Sequence, residues 1–240
     1  MLRALRWRRR AGVIGAGVIG AAVIAAGVIG VTVVVFAGAN VGGDPTPGWA
    51  ASNDARSELL DRLEAGTTTT WSMTTRFHRE TPAGPLDADL EQLNRQPDWL
   101  TVGFGSVRGV WKGQTIDCAN APGGKLCGQA VAVDPTADPS ASVDALRSAT
   151  GRRGTARVRR DATTRAAGRQ GRCYSVIPRR DRTDRRTVTQ YCLTRDGIPI
   201  RVRVRRPDSS DTATAEKIRT TVTDADFERL LAGYPISPPG

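Results

Sequence analysis

The chain reads as an α+β protein: an antiparallel sheet of roughly seven to nine strands with two or three helices, carried behind one transmembrane helix. Three observations predict this. Residues 11–37 run AGVIGAGVIGAAVIAAGVIGVTVVVFA without a single charge. Beyond residue 50, short segments alternate apolar and polar residues at the period of two that marks a half-buried strand. Among them stand a few segments with the three-to-four-residue apolar spacing of a helix.

The apolar run spans about 40 Å as a helix at ~1.5 Å per residue, more than the ~30 Å of bilayer hydrocarbon. The basic tip before it (residues 1–10, ending RWRRR) is held in the cytoplasm by the positive-inside rule, so the rest of the chain is expected outside. Ala37-Gly38-Ala39 offers a small-residue cleavage pattern, but the apolar run far exceeds the length of a signal-peptide core, so an uncleaved anchor is expected. A Pro/Gly-rich linker (38–50) leads to one extracytoplasmic domain (51–235) and a short tail (236–240). The cell membrane, crossed once, is the expected location.

Within that domain, residues 52–65 predict a helix with Ser52 or Asn53 as cap, an apolar face of Leu59, Leu60 and Leu63, and Gly66 as its stop. Residues 67–80 predict a strand with Trp71, Met73 and Phe77 on one side and Arg76 and His78 on the other. Residues 81–97 read as a polar loop or short helix. Residues 98–119 read as two or three strands turning at Lys112-Gly113-Gln114, and 140–150 as a short helix. Residues 156–178 and 186–197 read as a strand-rich hairpin. The run 198–206 alternates, with Ile200, Val202 and Val204 inward and Arg201, Arg203 and Arg205 outward. The end predicts a strand near 218–223, then a helix over 224–231. One sheet face is expected to be wet and the other covered by the helices.

Cysteine usage fits export. Four cysteines, Cys118, Cys127, Cys173 and Cys192, allow three pairings. The local pairing Cys118–Cys127 and Cys173–Cys192 suits the strand pattern best. It places Cys173 opposite Cys192 and Ser175 opposite Gln190 in one hairpin. Each short loop closed this way adds about 2–3 kcal/mol. The spacings carry no CxxC and the chain has one histidine, which argues against zinc; no metal and no cofactor are expected.

Gly168, the Cys173-Tyr174 step, Tyr191-Cys192-Leu193, Asp196-Gly197 and the run from Asp224 to Phe227, in this order of strands, resemble the LolA-like (lipoprotein-carrier-like) exported domains of high-GC Gram-positive bacteria. The resemblance spans about residues 50–235 and contains no catalytic signature. It implies a curved sheet forming a half-open β-barrel, helices on one face, and an apolar cavity that takes the acyl chains of lipids or lipoproteins. On that footing the candidate cavity lining is Trp71, Met73, Phe77, Leu100, Val102 and Phe104. The same apolar pattern also describes a packed core.

The chain carries 35 basic against 24 acidic residues, and eighteen arginines against four aspartates between 151 and 206. Export excludes nucleic acid as the natural partner of this basic stretch. Anionic phospholipid or acidic wall polymer remains, each arginine near such a surface adding about 1 kcal/mol. The candidate basic face is Arg179, Arg180, Arg182, Arg185, Arg186, Arg201, Arg203 and Arg205. Enzymatic function is not expected: any triad must be built on His78, which no motif surrounds. Asp87, Asp89 and Glu91 read as solvated loop carboxylates. The expected function is therefore binding of a lipid or lipidated ligand at the envelope. The alternative is a structural or interaction protein that docks through its arginines.

Overall fold

A computed structural model describes residues 49–121, 124–127, 139–179 and 187–235. The basic tip, the apolar run 11–37 and the linker up to residue 48 lie outside the described residues, as do Arg180, Arg182, Arg185 and Arg186. Among the described residues no helix is long and apolar enough to cross a membrane.

Eleven strands, more than the seven to nine expected, form one open antiparallel sheet with three helices, the open sheet that the resemblance implied. Helix α1 (Trp49–Thr68) precedes β1 (Trp71–Thr81), β2 (Gly84–Arg95), β3 (Asp98–Gly103), β4 (Ser106–Trp111), β5 (Gln114–Ala121) and β6 (Gly124–Cys127). Helix α2 (Pro139–Ala149) leads to β7 (Ala156–Ala166), β8 (Arg169–Pro178), β9 (Val188–Leu193), β10 (Pro199–Arg205) and β11 (Ser210–Arg219), and α3 (Asp224–Leu231) follows. The strand order is β6-β5-β4-β3-β2-β1-β11-β10-β9-β8-β7. Two meanders are thus joined by pairing the first strand with the last. Short hairpins follow from local chemistry. Lys112-Gly113, Phe104-Gly105 and Ala167-Gly168 all have positive φ at both positions, the twist that a two-residue antiparallel loop requires.

Both disulfides are the local ones, Cys118–Cys127 and Cys173–Cys192. Each joins directly opposed residues on neighbouring strands, and Ser175 stands opposite Gln190 as expected. The Cys173–Cys192 bridge packs in one cluster with Trp71, Met73, Ile198 and Ile200.

Several expectations are corrected. Residues 84–95 are strand β2 rather than loop or helix. The spacing of Leu90 and Leu93 looks helical, but the segment pairs along its whole length with β1. The last strand is Ser210–Arg219, and Thr223 caps α3 instead of extending a strand. Ser52 and Asn53 lie inside α1, which starts at Trp49.

The helices also do not share one face. Antiparallel partners project to the same side of a sheet. Following the register, Phe77, Ala213, Val202, Tyr191 and Tyr174 form one row on one face. Helices α1 and α2 cover it over β7–β10, through Ala55, Leu59, Leu60, Val143 and Leu146. Helix α3 lies on the opposite face, where Phe227 and Leu231 pack on Leu93, Leu100, Val107, Ile116 and Cys118. Phe227 is fully buried, stacked against Trp111 at 6.3 Å, with the Arg95 guanidinium 4.9 Å over its ring.

Gly66 does not stop α1, which runs on to Thr68. Its role is close approach. A Cβ at Gly66 would meet the Gly197 carbonyl oxygen at 2.4 Å, and one at Gly197 (φ +82) would meet the Arg62 carbonyl oxygen at 2.0 Å. The helix therefore rests directly on the turn before β10. Asn94, buried on β2, donates to the carbonyls of Gly66 (3.2 Å) and Thr69 (2.7 Å), and Arg62 donates to the Thr194 carbonyl at 2.8 Å. The first of these bonds supplies a partner to a carbonyl at the helix end, which helix geometry leaves unpaired.

Gly197→Ala should destabilise the protein by about 3 kcal/mol, combining overpacking with a strained φ. Gly113→Ala, at φ +75 but in open space, should lose only about 1 kcal/mol. Urea unfolding followed by tryptophan fluorescence distinguishes the two; equal losses would mean that the helix–turn contact carries no packing constraint.

Candidate functional site: an apolar patch on the α1 face

Residues Trp71, Met73, Thr75, Phe77 and Arg79 of β1 share the α1 face with Asn94, Gln92, Leu90, Ala88 and Leu86 of β2 and with Trp99 and Thr101 of β3. Leu100 and Val102 project to the other face, opposite Leu93 and Glu91, and pack in the cluster under α3. The six expected cavity residues therefore do not form one lining. Trp71 and Met73 belong to the disulfide cluster, Leu100 and Val102 to the α3 cluster, and only Phe77 and Phe104 meet, their rings edge to face at 5.1 Å.

Phe77 marks a distinct region. It clusters with Leu90, Ala213 and Ala88, and no residue of a described helix takes part. Two large side chains beside it are open to solvent, Leu86 at 46% and Phe104 at 41%. Leu86 reaches this face from β2, opposite Arg79, and Phe104 reaches Phe77 from the β3–β4 turn. A Cβ at Gly103 would fall 2.2 Å from the Leu90 side chain, so the glycine lets Leu90 lie flat across β3. The result is an apolar floor over β1–β3, beyond the reach of α1, with exposed edges at Leu86 and Phe104.

One rim of this floor is ionic, with two arginines sharing one carboxylate. Arg79 lies 5.5 Å over the Phe77 ring and grips Asp211 with two bonds, 2.7 and 3.2 Å, while Arg206 reaches the same carboxylate at 2.9 Å. Burial opposes ionisation of Asp211, but the bonds from Arg79 and Arg206 outweigh it and hold its pKa below the ordinary carboxylate value. Further across this face Arg108 pairs with Asp117 at 3.0 Å. Beside Phe77 and Leu90 the floor contains polar groups with no partner: both amide atoms of Gln92 and the Thr75 hydroxyl are buried and unbonded. Each such group costs about 1–3 kcal/mol when water is removed and nothing replaces it.

The α3 face carries the charge. Asp87, Asp89 and Glu91 alternate along β2 and are paired, so they are strand rather than loop carboxylates: Asp89 with Arg76 (3.0 Å), Asp87 with His78 (3.0 Å), and Glu91 with Arg229 of α3. Arg95 binds Asp224 and Arg219 binds Asp226, which tie α3 down at its first turn. Bonds from Arg219 and Thr223 lower Asp226 to about 2.

The expected basic face is divided. Arg179 is not displayed to a partner: it donates to the carbonyls of Ala156, Arg152 and Gly151 and closes the loop before β7. Arg201, Arg203 and Arg205 do form a stripe, on the α3 face, opposite Thr214, Thr212 and Ser210. Among the described residues none of the three pairs with a carboxylate; Arg201 contacts Gln190 at 3.5 Å. No group of three or more His, Cys, Asp or Glu among the described residues is placed to hold a metal ion.

The chain is similar to several solved structures. MucB matches with 18% identity and a TM-score of 0.45, over 76% of this chain and 64% of that one, and MucB has also been solved in complex with MucA(peri). The lipoprotein LppX of Mycobacterium tuberculosis matches with 9% identity and a TM-score of 0.37, over 71% of this chain and 98% of that one. A LolA superfamily protein from Nitrosomonas europaea matches with 7% identity and a TM-score of 0.31, over 71% and 96%. This chain thus spans under two thirds of MucB. No family model matches the chain, and no curated protein matches it.

The His78 pKa is raised above its ordinary 6.5, chiefly by the hydrogen bond to Asp87. The contact therefore contributes fully below about pH 6.5 and is lost as pH rises through the higher folded value. Because His78 is the one histidine, its NMR titration is unambiguous. Asp87→Asn should lower the midpoint toward the free value; an unchanged midpoint would show that Asp87 does not hold the ring.

Proposed function

We propose that this protein is a membrane-anchored, extracytoplasmic binding protein, not an enzyme, which holds a lipid or lipidated ligand against the apolar floor of its α1 face. The observation that carries this reading is the cluster of Phe77, Leu90, Ala88 and Ala213 with Leu86 and Phe104 exposed at its edges. Water on such a surface is costly: covering apolar area returns about 25 cal/mol per Å². Leu86 and Phe104 expose apolar surface at the edge of this buried cluster, the place where apolar matter would dock. The uncharged run 11–37 behind RWRRR supports the anchor and the orientation, and the two disulfides suit a compartment outside the cytoplasm.

A second reading rests on Arg201, Arg203 and Arg205. Arg76, Arg95, Arg219 and Arg229 on the same face are each matched by a carboxylate, while this stripe is not. It suits an anionic headgroup or acidic wall polymer.

Mass spectrometry of organic extracts from the full chain, purified in parallel with the Leu86→Asp/Phe104→Asp variant, tests the first reading. Both side chains are exposed, so the variant should keep the fold, and lipid associated with the anchor is common to both samples. A lipid present stoichiometrically in the parent and lost from the variant is expected. Identical extracts, with salt-sensitive retention on anionic polymer that Arg201→Gln/Arg203→Gln/Arg205→Gln abolishes, would favour the second reading instead.

A further inference from the structure

Gln92 and Thr75 are diagonal neighbours on β2 and β1: Thr75 stands opposite Leu90, and Gln92 opposite Met73. Both project onto the α1 face, beside Phe77 and Leu90. Gln92 is 1% exposed, and both its amide nitrogen and its amide oxygen lack a partner; Thr75 is 1% exposed, with an unbonded hydroxyl. A packed core gains nothing from such groups, since apolar residues of the same shape fill the space without the penalty.

We propose that Gln92 and Thr75 form the polar subsite of the ligand floor and receive the uncharged ester and hydroxyl groups of an acylglycerol. This rests on the lipid-binding reading above. The chemistry selects the class. An amide supplies donors through its nitrogen and acceptors through its oxygen. The amide nitrogen and the Thr75 hydroxyl donate to an ester carbonyl, and the Gln92 oxygen accepts from a glycerol hydroxyl. A fatty-acid anion lacks the donor that the Gln92 oxygen needs. Among the described residues on this part of the face the cations are already engaged, Arg79 with Arg206 on Asp211 and Arg108 on Asp117. The acyl chain then runs from the subsite across Phe77 and Leu90 toward Leu86 and Phe104.

The test uses the full chain in nanodiscs with a photoreactive monoacylglycerol and a photoreactive fatty acid of equal chain length. Three variants accompany the parent: Gln92→Leu, Thr75→Val and Leu86→Asp/Phe104→Asp. Parent labelling by the monoacylglycerol should map to β1–β3 and exceed labelling by the fatty acid. Gln92→Leu and Thr75→Val should each weaken it about tenfold, the value of one hydrogen-bonded group, while raising the melting temperature of the unliganded protein. Undiminished labelling of both variants, stronger labelling by the fatty acid, or a lowered melting temperature of Thr75→Val would overturn the subsite and leave lipid binding standing. A parent that takes no label, or a Leu86→Asp/Phe104→Asp variant that labels like the parent, would bring down the lipid-binding reading and the subsite with it.

Discussion

The pairing of β1 with β11 holds this molecule together. Each meander is built from hairpins between neighbours in sequence and pinned by one disulfide. Only the β1–β11 ladder makes them a single sheet. It joins segments more than a hundred residues apart in sequence, so it forms against a larger loss of chain entropy than any hairpin. Its register shifts between Thr74 and Thr75. A bulge of this kind bends the strand and increases the local twist. It falls at the residue that begins the apolar floor.

The helices follow from that sheet. Helix α1 meets it in two ways: an apolar stripe over β7–β10, and the backbone contact of Gly66 with Gly197. Asn94 then fixes the helix end on β2, from the other meander. The helix thus spans the central seam at one end of the strands, and among the described residues no helix joins the Phe77 cluster at the far end of β1–β3. Helix α3 binds the reverse side through Phe227, with ion pairs from Asp224, Asp226 and Arg229 to strand residues around it. One end of β1–β3 is thereby helix-covered on both faces, and the other end holds the buried Phe77 with Phe104 and Leu86 exposed beside it.

The ionic residues divide along the same lines. Many arginines among the described residues are matched to carboxylates on neighbouring strands or helices, an arrangement that adds little stability at exposed sites. Arg201, Arg203 and Arg205 stand apart from it. Gln92 and Thr75, two of the buried polar side chains with no partner among the described residues, are the reverse case: buried and uncharged. A ligand that is apolar over most of its length and neutral where it is polar answers both the exposed edge at Leu86 and Phe104 and the unpaired amide.

Local features of the fold were legible in the sequence because local chemistry sets them. The turn at Lys112-Gly113, the facing cysteines of each hairpin, the alternation of β10 and the run DADFERLL each state their own conformation. Segment 81–97 was not legible, because the spacing of Leu90 and Leu93 suits a helix as well as a strand, and only pairing with β1 decides. The candidate site was legible in part. Phe77 and Phe104 meet as expected, but Leu100 and Val102 do not join them. Alternation tells which residues of one strand share a side; it does not tell which side of the next strand is the same. That is set by register, which turn lengths and bulges fix only once the chain has folded. The sequence by itself thus determined many of the strands, the preferred disulfide pairing and the apolar character of the region. The tertiary structure decided which apolar residues stand together, where the helices stop covering them, and that Gln92 is buried with nothing to bond.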